Sequence, residues 1–175
     1  MTTAEQLFNQ NSFNSVGVDL IRDKSGCSKT TMYTHFQNKQ QLVIEVLKQR
    51  DLVFRENLTH AVGNSTGLDA IEKIYDWHVS WFQMDQFKGC LFVRAVAEAS
   101  SHQDIEIINI SKLHKKWVRT YIQQQILDDF YNAEDIAELI FNLLEGLISR
   151  FLVDGFDQKI ADQTKKIIDL YIKSA

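Results

Sequence analysis

Apolar residues recur at three- and four-residue spacing along nearly the whole chain, and no segment alternates apolar and polar over a strand's length. The pattern is densest toward the C-terminus. There Ile136, Leu139, Ile140, Leu143 and Leu147 form one apolar stripe, and Ala137, Phe141, Leu144, Ile148 and Phe151 form a second beside it. Glu138, Asn142, Glu145 and Ser149 leave only a narrow polar seam, so this helix needs partners on two sides. Spacing and turn signals predict about nine helices. They run from about Thr3 to Asn11, Gly17 to Lys24, Ser28 to Tyr33, Lys39 to Val62, Leu68 to Phe82, Gly89 to Ser100, Ile105 to Phe130, Ala133 to Val153 and Gln158 to Lys173. The expected fold is all-α: a head of three short helices over residues 1–45, then a body of longer helices over 46–175.

Composition strengthens this picture. The 175 residues contain no proline and only seven glycines, so little interrupts a helix, and Gly63-Asn64-Ser65-Thr66-Gly67 is the clearest linker. A hydrophobic content of 45% supplies an ordinary core without staples. Two cysteines make no disulfide framework, no signal peptide is evident, and no apolar run has the length of a membrane span. A cytoplasmic protein with no membrane partner is the expectation. The net charge of −4 argues at first against nucleic acid, but its distribution changes that reading. Residues 1–50 carry six basic groups against four acidic ones, while the rest carries 13 against 19. A positive head on an acidic body suits a protein that reads DNA.

The segment from Phe13 to Leu42 carries the chemistry. Two short helices flank the turn Ser25-Gly26-Cys27, the geometry of a helix-turn-helix, with Gly26 at a bend that favours positive φ. Val18, Ile21, Met32 and Phe36 are placed to hold the unit together from inside, and Ser28 is placed to cap the second helix. The exposed side then carries Ser28, Lys29, Thr30, Thr31, Tyr33 and His35, short donors and a cation suited to base edges and phosphates. Lys39 opens the next helix, where N–H groups and an ammonium together suit one more phosphate.

These residues resemble the TetR family of regulators. The resemblance rests on Ala4-x-x-Leu7-Phe8, on Phe13-x-x-x-Gly17-Val18, and on Ser25-Gly26-x-Ser28-Lys29-x-Thr31-x-Tyr33-x-His35-Phe36-x-x-Lys39-x-x-Leu42. It implies that the helix from Ser28 to Tyr33 reads the major groove. By the same resemblance Thr31, Tyr33, His35 and Lys39 touch phosphates, while Lys29 and Thr30 face bases. Three departures stand out: the chain begins close to Ala4, so no upstream basic arm is expected; Ser12 replaces a customary glycine; and Val16 stands where a phosphate-binding threonine is common.

For the body, the resemblance implies a homodimer formed by the last two helices, and hence a near-palindromic double-stranded DNA operator. The residues assigned to that interface are Leu139, Leu143, Gly146, Leu147, Ile160, Thr164, Ile167 and Tyr171, with Gly146 permitting close helix approach. The resemblance also places a pocket for a small organic effector among the middle helices, where aromatic residues are concentrated. Its expected walls are Trp77, His78, Trp81, Phe92, Trp117, Tyr121 and Phe141, with Arg94, Glu98 or Glu145 as polar groups; Arg94 and Glu98 alternatively pair with each other. His78, His102 and His114 lack metal-ligand spacing, so no metal and no cofactor are expected. Cys27 is expected to fill an apolar position in the turn, and Cys90 to be a small core residue.

The expected function is a repressor released from its operator by that effector, through a shift of the long fourth helix that spoils a recognition-helix spacing of roughly 34–36 Å. The alternatives are a DNA-binding dimer without a ligand and an enzyme using the central helices. The enzyme reading lacks a nucleophile–base pair or metal triad at recognisable spacing, so no enzymatic activity is expected.

Overall fold

The computed structural model describes residues 1–99 and 104–174. Among the described residues every regular element is an α-helix: α1 (Thr2–Gln10), α2 (Val18–Ser25), α3 (Lys29–His35), α4 (Lys39–Val62), α5 (Gly67–Phe82), α6 (Leu91–Glu98), α7 (Ile105–Ile126), α8 (Ala133–Asp154) and α9 (Gln158–Ser174). The all-α expectation holds, element by element.

Local chemistry sets the boundaries. α2 ends at Gly26, whose φ of 70° lets its N–H return to the Arg22 carbonyl. α3 opens at Ser28, whose hydroxyl accepts the Thr31 N–H at 3.0 Å. Asn38 caps α4 by accepting the Gln41 N–H at 2.8 Å, and Asp157 caps α9 by accepting from the N–H groups of Lys159 and Ile160. α7 stops at Ile126, four residues before the sequence expectation. Asp128 and Asp129 follow there, and carboxylates are disfavoured at the negative end of a helix dipole. α6 starts two residues later than expected, and its expected end at Ser100 lies outside the described residues.

The chain forms two compact units. The first comprises Met1–Phe54 and Cys90–His114, the second Arg55–Gly89 and Lys115–Ala175. In the first, Phe8 and Phe13 pack ring to ring at 5.0 Å among Val16, Ile21, Met32, Leu42, Leu47, Ala95 and Ile107. Val18 and Phe36 lean on that core from its edge. α6 and the start of α7 therefore belong structurally with the three short N-terminal helices.

The second unit is built on α8, with Ile136, Ile140, Leu144 and Phe151 buried together with Ile74 of α5, Ile122 of α7 and Ile168 of α9. Each fully buried aliphatic side chain of this kind contributes roughly 1.5–3 kcal/mol. Tyr75 ties α5 to α9 by donating its hydroxyl to the Ala161 carbonyl at 2.6 Å. Burial pushes that phenol up to about 12.

Candidate nucleic-acid interface

Six of the seven residues expected to meet DNA lie exposed on α3 or at its cap: Ser28, Lys29, Thr30, Thr31, Tyr33 and His35. Only Met32 of α3 is buried, so the helix is anchored by one side chain and offers the rest to solvent. The polar groups are not idle. The Ser28 and Thr31 hydroxyls share a hydrogen bond of 2.9 Å, and the Thr34 hydroxyl donates to the Thr30 carbonyl at 2.8 Å. Tyr33 is 49% exposed, a large area for an aromatic residue with no core role.

Two cations of this surface, Lys29 and Arg22, are already paired. Lys29 meets Asp19 of α2 at 2.7 Å, while Arg22 bridges Asp19 at 2.9 Å and Asp23 at 2.6 Å. The hydrogen bond from Lys29 holds the Asp19 carboxyl below its usual range. Any acceptor on DNA that approaches Lys29 must therefore exchange with a carboxylate, a feature that sequence spacing alone did not reveal.

Lys39 corrects the expectation of a ready phosphate clamp. It is half-buried, and its ammonium donates to the Asn14 carbonyl at 3.4 Å. It lines a cleft of about 170 Å³ together with Asn14, Gln40, Ala95, Glu98 and Asp104. Burial lowers the ammonium's pKa, and the nearby Glu98 charge acts in the opposite sense. The N–H of Asn14 donates to Glu98 Oε2 at 2.9 Å, so Asn14 is held at both ends of its backbone.

Arg94 and Glu98 are likewise reassigned. The Arg94 Nη1 donates to the carbonyls of Phe8, Asn9 and Asn11 at 3.1, 2.8 and 2.9 Å, closing the C-terminal end of α1. Four-residue spacing put both side chains on one face of α6, but their targets lie more than 80 residues away and no local signal reveals them. Cys27 also departs from expectation. It is exposed, because Met32 and Ile21 already fill the interior of the turn, while Cys90 is partly buried against the core as expected.

Residues 1–46 match the sequence model of the bacterial regulatory proteins of the tetR family. The segment that carries α1 to α3 therefore matches the TetR family. It is 24% identical over 172 residues to the transposon Tn10 TetC protein of Escherichia coli, covering 98% of this chain and 86% of that one. Its fold is similar to that of a TetR-family transcriptional regulator from Streptomyces coelicolor, with a TM-score of 0.85 at 22% identity, covering 99% of this chain and 92% of that one. It is similar also to the TetR-family regulator CifR, solved as a cysteine-replaced variant with a 26-bp double-stranded operator DNA (TM-score 0.78, 13% identity, 95% and 92% covered). The chain thus joins a head that matches the tetR family of bacterial regulatory proteins to an all-helical fold similar to that of TetR-family regulators.

The residues expected to line an effector pocket have the following neighbours within their own units. Trp77, His78 and Trp81 share α5; His78 is buried and its Nδ1 lies 2.7 Å from the Ile74 carbonyl of its own helix. Trp117 stacks on Tyr121 at 4.9 Å with Arg55 over the indole at 5.0 Å, and Phe141 lies beneath Arg119 at 5.2 Å and Lys115 at 5.9 Å. Phe92 stands apart in the first unit, stacked on the buried His114 at 3.8 Å, whose Nδ1 meets Asp51 at 2.8 Å. No group of three or more potential metal ligands occurs among the described residues, and His102 lies outside them.

Two residues assigned to the dimer interface are corrected. Leu147 is only 5% exposed because it faces the chain's own core. Thr164 is 9% exposed and returns its hydroxyl to the Ile160 carbonyl at 3.0 Å. Gly146, Ile167 and Tyr171 are exposed, Leu139, Leu143 and Ile160 are half-buried, and the neighbouring Leu170 is 69% exposed. No described helix is long and apolar enough to cross a membrane.

Proposed function

We propose that this chain is a TetR-family transcriptional regulator, a cytoplasmic repressor that binds a near-palindromic operator as a homodimer and leaves it when a small organic effector binds. The observation that carries the reading is α3 itself, a short helix capped by Ser28 with its donors exposed, inside the segment that matches the family's sequence model. Lys29 and Thr30 face bases, while Thr31, Tyr33 and His35 fix the backbone. That a fold relative has been solved with operator DNA supports the same reading.

The dimer is proposed through the solvent faces of α8 and α9. Leu139, Leu143, Ile160, Ile167, Leu170 and Tyr171 supply apolar area there, and no atom lies within 4 Å of a side-chain carbon added at Gly146. The effector is proposed to be flat and apolar, received by aromatic side chains of the second unit such as Trp117, Tyr121 and Phe141. The chain's role is regulatory rather than enzymatic. Selection of bound duplexes from a random-sequence pool at two salt concentrations tests the central claim. A palindromic consensus with half-sites about one helical turn apart is expected, and enrichment of no sequence would overturn it.

A further inference from the structure

The family resemblance makes Lys39 a phosphate contact, yet its ammonium is turned into a cleft beside Glu98. Both groups hold one residue. Glu98 accepts the Asn14 N–H at 2.9 Å, and Lys39 donates to the Asn14 carbonyl at 3.4 Å. The lysine's own hydrogen bond is long, so carboxylate charge in the cleft is a principal reason for an ammonium to stay half out of water. Asn14 lies three residues before Gly17, which caps α2, so the grip sits at the entry of the helix-turn-helix.

We propose that Glu98 is a positioning residue for DNA binding: its charge retains the Lys39 ammonium in the cleft and withholds it from the phosphate backbone. The inference rests on the reading of this head as a DNA-binding module. Lys39 has two places to put one charge, the Glu98 side of the cleft or a DNA phosphate. Weakening the first favours the second, and any change that draws Glu98 away from Asn14 releases one phosphate contact.

Glu98→Gln removes the charge but keeps an oxygen able to accept the Asn14 N–H, so the loop stays held while the lysine is freed. The full-length chain, its Glu98→Gln and Lys39→Met variants and the double variant are titrated with a duplex recovered by random-pool selection, over 50 to 200 mM salt. Glu98→Gln should bind more tightly and steepen the slope of log affinity against log salt by about 0.9, the signature of one added phosphate contact. Over that fourfold salt range the steeper slope adds a loss of roughly 3.5-fold. In the Lys39→Met background Glu98→Gln should not alter the slope, which separates lysine release from simple loss of an acidic charge near DNA. Unchanged slopes in both backgrounds, or an equal change in both, would overturn the proposal while leaving DNA binding in place. If no duplex is recovered by the wild-type chain, the underlying DNA-binding reading fails first and the proposal falls with it.

Discussion

The recognition helix α3 and the core helix α8 show two ways of fixing a helix. α8 buries nine of its 22 residues, and its position follows from volume: Ile140, Leu144 and Phe151 have nowhere else to go. α3 has seven residues and buries only Met32. It is placed instead by backbone devices, the left-handed Gly26 and the Ser28 cap before it, with Met32 as its single anchor. A surface that must face DNA cannot spend its side chains on packing, so the turn and the cap do the placing. Mutations should therefore sort by mechanism. Volume matters in α8, and backbone conformation and hydrogen bonding matter around α3.

The largest effect should come from Leu144→Ala. Loss of a 1%-exposed leucine from the second unit should lower stability by about 2–5 kcal/mol in denaturant melts. A loss near zero would break the contrast at its strongest point. Tyr75→Phe should cost about 1–3 kcal/mol, because the Ala161 carbonyl loses its buried donor. The same phenol gives a pH test. Its folded value is raised from 10.0 to about 12, so its contribution is complete below pH 10 and is lost as pH rises toward 12. The wild-type stability curve should fall there more steeply than that of Tyr75→Phe, and parallel curves would remove the tyrosine from the account.

Around α3 the effects should be smaller on stability and larger on binding. Gly26→Ala meets no steric obstacle, so its cost of roughly 1–2 kcal/mol should be purely that of a left-handed backbone. Ser28→Ala should cost about 1 kcal/mol of helix stability. It should also weaken operator binding in a gel-shift titration, since the cap and a DNA donor vanish together. Smallest of all on stability, Asp19→Asn should leave thermal unfolding nearly unchanged while strengthening binding to a selected operator duplex, because Lys29 is freed from its internal partner to meet a base edge. Weaker or unchanged binding would show that the pair does not compete with the DNA.

Much of the fold was legible because helix-breaking signals are sparse and informative. α4 was expected at Lys39 to Val62 and is found there, bounded by the Asn38 cap and a Gly63 whose N–H returns to the Thr59 carbonyl. The donors of α3 were legible for the same reason, since they follow from position within one short helix. Lys39, Arg94 and Phe92 were not. The direction of Lys39 depends on Asn14, 25 residues away, and Arg94 acts on carbonyls more than 80 residues distant. Phe92 finds its partner in His114 through tertiary packing rather than in the other aromatic residues near it in sequence. Periodicity identifies the face a residue occupies, and only tertiary structure identifies what that face meets.

The Lys29–Asp19 pair bears finally on how such a protein searches a genome. A head with its cations bare would linger on every stretch of duplex, because phosphate attraction carries no sequence information. A lysine held by a carboxylate is given up only where a base acceptor on the DNA replaces that carboxylate, so it adds little attraction at a wrong site. On the proposed base-reading role for Lys29, such a pair would shorten dwell time on random DNA and leave the lysine's full exchange to the sites that offer it a matching base edge.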